Sequence, residues 1–246
     1  YNTNYIQCTG LGTTTDSLAV LKKHVFEDQA FSMERILDAV GKNFEGEEFL
    51  RQTVINKTPF FGNDDDYADD IALQIYHDLL DAIDGKPNVK GETFHLNMLS
   101  TTCHVYFGSV TGATPDGRRA MQPVSEGISP VQGADRKGPT AVFRSAAKMD
   151  HIRTGGTLLN MKLSPDLTAG DKGIDVMSQL IRAYFRMDTH HVQFNVVSAD
   201  TLREAQKHPE DHGDLIVRVA GYSDYFVDLG EDLQNEIIRR TEHDAV

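Results

Sequence analysis

The hydrophobic periodicity changes at residues 85–91, and that change sets what each side of the chain can fold into. Residues 85–91 read Gly-Lys-Pro-Asn-Val-Lys-Gly. That is linker chemistry, because proline and glycine both interrupt regular hydrogen bonding. Before it, apolar residues recur at helical spacing. Thr15 and Asp16 offer a cap to a helix carrying Leu18, Leu21 and Val25, and Ser32 offers one to Met33, Ile36, Leu37, Val40 and Phe44. A shorter helix over 47–56 presents Leu50 and Val54. The run Asn63-Asp64-Asp65-Asp66 then opens a helix striped by Tyr67, Ile71, Ile75 and Leu79. The same acidic run lacks the glycine and terminal glutamate of a calcium loop, so the helix macrodipole accounts for it.

After the linker the pattern turns to strands and loops. Residues 95–106 alternate weakly and read as one or two strands. Thr114-Pro115-Asp116-Gly117 is turn chemistry, followed by a long loop containing Gly127, Pro130, Gly133, Gly138 and Pro139. A strand is expected over 157–163. A helix follows over 174–187, burying Met177, Leu180, Ile181, Tyr184 and Phe185. The next strand, 191–196, leads to a helix capped by Ser198 or Asp200 and carrying Leu202 and Ala205. The strand 215–219 stops near the lone Gly221 and gives way to a helix through Leu233, Ile237 and Ile238. The order predicts an α/β sheet or barrel behind a helical first third, divided at 1–90 and 91–246.

Composition excludes several functions. A net charge of −13 opposes binding to a nucleic-acid backbone. No apolar run reaches the roughly 18 residues of a membrane span. Cys8 and Cys103 lie far apart without a paired-cysteine spacing, so neither a zinc site nor a disulfide framework is expected, and no metal site is. Few cysteines and no secretory pattern point to a reducing cytoplasm, where the Asn56-Lys57-Thr58 sequon is without meaning. The chain starts at Tyr1 without methionine, which reads as the tail of something longer.

The candidate sites are few. Gly10-Leu11-Gly12 lacks the third glycine and preceding strand of a dinucleotide loop. His190 and His191 are strand neighbours pointing to opposite faces, so at most one faces a pocket. Arg118-Arg119 offers either a carboxylate clamp or plain surface charge. Thr101 and Thr102, in the run Thr101-Thr102-Cys103-His104, either line a substrate pocket or bond to backbone. Gly221 by itself is the glycine of a tight strand-to-helix turn.

The surroundings of Gly221 add to that reading. Arg218-Val219-Ala220-Gly221-Tyr222-Ser223, within DLIVRVAGYSDYF, resembles the signature of the glycyl radical enzymes. IQCTGLGTTTDSLAVLKKHVF, INKTPFFGNDDDYADD, GATPDGRRAMQPVSEGISP, KGPTAVFRSAAKMDHIRTGGTLLN and HHVQFNVVSADTLREAQKHPE resemble segments of the same superfamily, in its order. The likeness spans nearly the whole chain and leans toward the dehydratase and decarboxylase branch.

The resemblance implies the C-terminal part of a ten-stranded α/β barrel with a central glycyl radical loop. It implies a radical on the Cα of Gly221, with Arg218, Val219, Ala220, Tyr222 and Ser223 supporting the loop. A backbone radical is stabilised jointly by the electron-donating amide nitrogen and the electron-withdrawing carbonyl, which requires a planar Cα and therefore no side chain. No bound cofactor is implied, because a separate activating enzyme using S-adenosylmethionine and an iron–sulfur cluster installs the radical. The remaining partners are the rest of the lyase chain, a small-molecule substrate and a second copy of the subunit. The radical passes to a cysteine in a Gly-Cys-Val-Glu loop. Neither Cys8 nor Cys103 has that context, so this stretch alone is expected to be inactive. Oxygen sensitivity leads to the expectation that Gly221 is buried. The substrate class expected first is hydroxyproline, dehydrated by C–O cleavage; arylacetate decarboxylation, elimination from diols, choline or sulfonates, and a stand-alone radical-bearing repair subunit are the alternatives.

Overall fold

The computed structural model describes residues 2–99 and 101–245. Strand β1 (Asn4–Gln7) leads into helix α1 (Leu11–Val20), which continues as a wider π-helical segment, Leu21–Glu27. The helix starts at Gly10, whose φ of 88° is accessible to glycine without strain. It therefore begins several residues before the expected Thr15–Asp16 cap. Both of those residues are buried within it, and Asp16 Oδ1 accepts the Phe61 N–H at 2.8 Å.

Helices α2 (Met33–Gly41), α3 (Glu48–Lys57) and α4 (Asp66–Ile83) follow. Ser32 caps α2 as expected, accepting from the Arg35 amide at 3.2 Å, and Asp65 caps α4 by accepting from Tyr67. The buried stripe of α4 is Ala68, Ala72, Tyr76 and Leu80. This is one residue beyond the expected stripe, because the small alanines allow close approach and Tyr67 turns outward to bond Glu27. Helices α1 to α3 pack around Val20, Ile36, Phe44, Leu50 and Val54.

Strand β2 (Phe94–Asn97) pairs in parallel with β1, from Asn4 opposite Phe94 to Gln7 opposite Asn97. The chain then turns into helix α5 (Cys103–Val110), where continued strand was expected. Thr101 takes a φ of 50° and breaks the extended run, so Thr101 and Thr102 stand at a helix N-terminus. After the long loop come α6 (Pro139–Ala147), β3 (Leu158–Leu163), α7 (Gly170–Arg186), β4 (His191–Val196) and α8 (Ala199–Lys207). Helix α7 buries Leu180 and Tyr184, but Ile181 and Phe185 are exposed in this chain, against expectation. Ser198, rather than Asp200, caps α8.

Two short strands, β5 (Ile216–Arg218) and β6 (Ser223–Tyr225), precede α9 (Glu231–Arg239) and β7 (Glu242–His243). Strands β4, β3 and β7 form one parallel sheet in that order, and β5 pairs antiparallel with β6. A parallel bridge between Met98 and Thr157 links the end of β2 to the start of β3. The result is an α/β fold of small sheets. Its main core joins α4, α6 and α7 to β3 through Tyr76, Phe143, Leu159, Met161 and Tyr184. A separate apolar cluster seats the hairpin through Val217, Val219 and Phe226, with Leu202 and Ile237 beneath.

Candidate glycyl site

Gly221 lies at the tip of the β5–β6 hairpin, not in the strand-to-helix turn that the pattern suggested. Arg218 pairs with Ser223, and Val219 N–H donates to the Tyr222 carbonyl at 2.9 Å. The turn is thus Val219-Ala220-Gly221-Tyr222. Gly221 has a φ of 82°, in the left-handed region that favours glycine. A Cβ built there would meet nothing within 4 Å, so only the backbone conformation calls for glycine locally. Ala220 is buried, but Gly221 is exposed in this chain, contrary to the expected burial. The turn throws the glycine outward while Val217, Val219 and Phe226 anchor the hairpin below it.

What holds the turn is a set of buried polar groups on β4 and α9. On β4 the period-two alternation places Gln193 and Asn195 on one face, both buried. Asn195 bonds both backbone groups of Arg218, accepting its N–H and donating to its carbonyl, each at 2.7 Å. Its amide serves as a one-residue strand partner. Gln193 Oε1 accepts the Gly221 N–H at 3.0 Å, and its Nε2 donates to the Val219 carbonyl at 3.2 Å. Gln193 Nε2 also donates to Asn160 Oδ1 on β3.

Just past the end of α9, Arg240 Nη2 donates to the Val219 carbonyl at 2.8 Å and Nη1 to that of Arg218 at 3.3 Å. Arg240 is paired twice with Glu236, at 3.1 and 2.8 Å, and both side chains are buried. Burial would raise the Glu236 carboxyl, but the Arg240 charge and His104, 3.4 Å away, hold it well below the usual carboxylate range. Four backbone groups of the turn, the Arg218 N–H and carbonyl, the Val219 carbonyl and the Gly221 N–H, are therefore fixed from below by Asn195, Gln193 and Arg240.

The other residues singled out in the sequence scatter. Arg218 donates to Ser223 Oγ at 2.9 Å across the hairpin. Tyr222 and Ser223 are exposed beside the glycine, and burial followed by the Asp224 charge pushes the Tyr222 phenol up. Arg118 is no exposed carboxylate clamp. It is buried and donates to the carbonyls of Gly112, Arg119 and Gln122, closing the Thr114–Gly117 turn, while Arg119 pairs with Glu48 at 2.9 Å. His190 is exposed and His191 half-buried, its imidazole pushed down by burial and then by Arg218. The Gly10–Gly12 loop does follow a strand, β1, and a Cβ on Gly12 would meet Ser125 Oγ at 3.1 Å. Both cysteines are free, and among the described residues no group of histidines, cysteines and carboxylates is placed to hold a metal. No helix there is long and apolar enough to cross a membrane.

Sequence reasoning missed Gln193, Asn195, Glu236 and Arg240. Two carboxamides on the inward face of a strand, and an acid and an arginine four residues apart at the end of a helix, were the available signals.

Comparison with known proteins agrees with this geometry. Residues 124–227 match the family described as Glycine radical, and residues 1–108 match that described as Pyruvate formate lyase-like. The chain belongs to the pyruvate formate-lyase-like glycyl radical enzymes. It is 55% identical over 98% of its length to trans-4-hydroxy-L-proline dehydratase of Clostridioides difficile, and 42% identical over 100% to isethionate sulfite-lyase of Bilophila wadsworthia. The crystal structure of the Clostridioides difficile hydroxyproline dehydratase with trans-4-hydroxy-L-proline bound superposes with a TM-score of 0.96 at 54% identity over 99% of this chain. The B12-independent glycerol dehydratase of Clostridium butyricum superposes with a TM-score of 0.93 at 40% identity over 99% of it. The chain spans only 31% of the hydroxyproline dehydratase and 30% of the sulfite-lyase.

Proposed function

We propose that this chain is the C-terminal portion of a glycyl radical dehydratase acting on trans-4-hydroxyproline, with the radical stored on Gly221. The observation carrying the substrate assignment is the 55% identity to a hydroxyproline dehydratase, against 42% to an isethionate sulfite-lyase and 35% to the indoleacetate decarboxylase of Tractidigestivibacter scatoligenes. Residues 1–90 are then the helical part of the lyase domain. Residues 91–246 supply strands of a ten-stranded barrel together with the radical hairpin, and the remainder of the lyase covers the exposed tip. Arg218, Val219, Ala220, Tyr222 and Ser223 shape the loop, and Thr101 and Thr102 line the substrate side.

An activating enzyme using S-adenosylmethionine and an iron–sulfur cluster removes one hydrogen atom from the Gly221 Cα. The radical passes to a cysteine elsewhere in the lyase, whose thiyl takes a hydrogen atom from the ring carbon beside the substrate nitrogen. The neighbouring carbon then loses its hydroxyl as water, with one proton supplied by a general acid and one given up by the ring nitrogen. The product radical takes the hydrogen atom back from the cysteine, regenerating its thiyl. The protein works in an anaerobic cytoplasm as a homodimer, and this stretch alone has no turnover.

The test is anaerobic activation of the full-length protein followed by electron paramagnetic resonance and a substrate panel. A doublet that disappears in Gly221→Ala, with turnover of hydroxyproline over hydroxyphenylacetate, choline and glycerol, is the expected outcome. A doublet persisting in the variant moves the radical to another residue, and turnover of hydroxyphenylacetate alone removes the dehydratase assignment.

A further inference from the structure

The Gly221 amide ends a continuous line of part-buried side-chain hydrogen bonds that starts at a carboxylate. Its N–H donates to Gln193 Oε1 at 3.0 Å, Gln193 Nε2 donates to Asn160 Oδ1, and Asn160 Nδ2 donates to Glu126 Oε1. Glu126 is 2% exposed and its Oε1 also accepts from Ser129 Oγ, which in turn accepts the Asn160 backbone N–H at 2.9 Å. Each amide has one orientation open to it. A backbone N–H only donates, so Gln193 must turn its oxygen to Gly221; the Val219 carbonyl only accepts, so Gln193 must turn its nitrogen there. Asn160 then has to offer oxygen to Gln193 and nitrogen to Glu126.

We propose that Glu126, Asn160 and Gln193 form a polarising relay that positions the Gly221 peptide and enriches its nitrogen in electron density. The physical argument has two steps. Hydrogen-bonded amides in series polarise one another in the same direction, more strongly at low dielectric. A carboxylate at one end pushes density onto Asn160 Oδ1, then onto Gln193 Oε1, and finally toward the Gly221 nitrogen. That nitrogen is the electron-donating half of the pair that stabilises a Cα radical. The acceptor half is the glycine carbonyl, which lies outside the relay. Gln193 and Asn160 also hold the peptide plane, because the same two amides tie the turn to β3 and β4. These are positioning residues, acting on the radical centre through its own N–H.

The proposal rests on the assignment of the radical to Gly221, and the test separates the two. Full-length protein is loaded anaerobically by its activating enzyme, and the exchangeable N–H coupling of the glycyl radical is measured by electron–nuclear double resonance in light and heavy water. Gln193→Leu is expected to change that coupling and lower the radical yield about tenfold, the scale of one lost hydrogen bond. Glu126→Gln keeps the size of the side chain and its acceptor oxygen but removes the charge. It is expected to shift the coupling in the same direction by less. Gln193→Glu restores an acceptor to the glycine amide and should recover the wild-type coupling in part. Unchanged coupling in both Gln193→Leu and Glu126→Gln overturns the relay, even if the yield falls, since a merely structural role lowers yield without altering the spin distribution. If Gln193→Leu does not fold, Glu126→Gln alone decides on the same criterion. Absence of a doublet in the wild-type protein instead removes the assignment beneath it.

Discussion

Glu236 and Arg240 show how a single pair of side chains fixes a backbone conformation remote in sequence. Arg240 spends its guanidinium on two carboxylate bonds and on the carbonyls of Arg218 and Val219. Removing the negative partner leaves a buried cation, which is costly because water cannot replace the lost charge. Glu236→Gln should therefore destabilise the protein by about 3–5 kcal/mol, read from denaturant midpoints. The pair also has a pH signature. The carboxyl of folded Glu236 lies below its unfolded value, so its stabilisation is complete above the usual carboxylate range and is lost only as pH falls toward the folded value. Wild type and Glu236→Gln should converge in strongly acid solution and differ most at neutral pH. Gly221→Ala is the contrasting case. No atom lies within 4 Å of the added methyl, and the φ of 82° alone costs about 1–2 kcal/mol. A lost radical in that variant would then reflect chemistry, with circular dichroism unchanged.

At the scale of elements, β5 and β6 have three residues each, and a two-stranded ribbon of that length is marginal unaided. Asn195 compensates by presenting a side-chain amide where a third strand would present a peptide. Asn195→Ala should cost about 1–3 kcal/mol, because the Arg218 N–H and carbonyl lose their partner in a part-buried setting. Faster amide exchange confined to residues 216–225 is the expected readout; uniform acceleration across β3 and β4 would contradict it. The alternation of residues 191–196 announced β4 correctly, and the caps at Ser32 and Ser198 were visible because capping is local chemistry. The hairpin was not visible. Its turn lacks the Asn-Gly or Asp-Gly pair that marks two-residue loops, and what stabilises it comes from Asn195 and Arg240, more than twenty residues away on each side. Likewise, nothing in residues 95–106 declares that Thr101 reverses its φ and starts α5. The expectation of a radical on Gly221 comes from resemblance, since local pattern offers merely a turn.

Across the whole molecule, the parallel sheet and α9 are tied together by a lysine that has almost no water. Lys162 on β3 is 1% exposed, lies in register with Glu242 on β7, and donates from Nζ to the Ile238 carbonyl at 2.9 Å. A carbonyl in the last turn of a helix favours a cation. Burial nevertheless dominates and pushes the ammonium down to about 8 from an ordinary 10.5, with Glu242 opposing the shift. Between those values the unfolded chain holds more protons than the folded one, so stability rises with pH across that window. The full gain is about 3 kcal/mol. Above pH 10 it is opposed by Tyr76 and Tyr184, whose phenols burial pushes up, so that the unfolded chain gives up its tyrosine protons first. The denaturation midpoint should climb from pH 8 to pH 10 and then turn over. Lys162→Met removes the titrating group while filling much of the same volume, and should flatten the climb without moving the fall above pH 10. A wild-type midpoint that is level or declining from pH 8 to pH 10 would mean that Lys162 is hydrated in the folded protein and that the tie between β3 and α9 is looser than its geometry indicates.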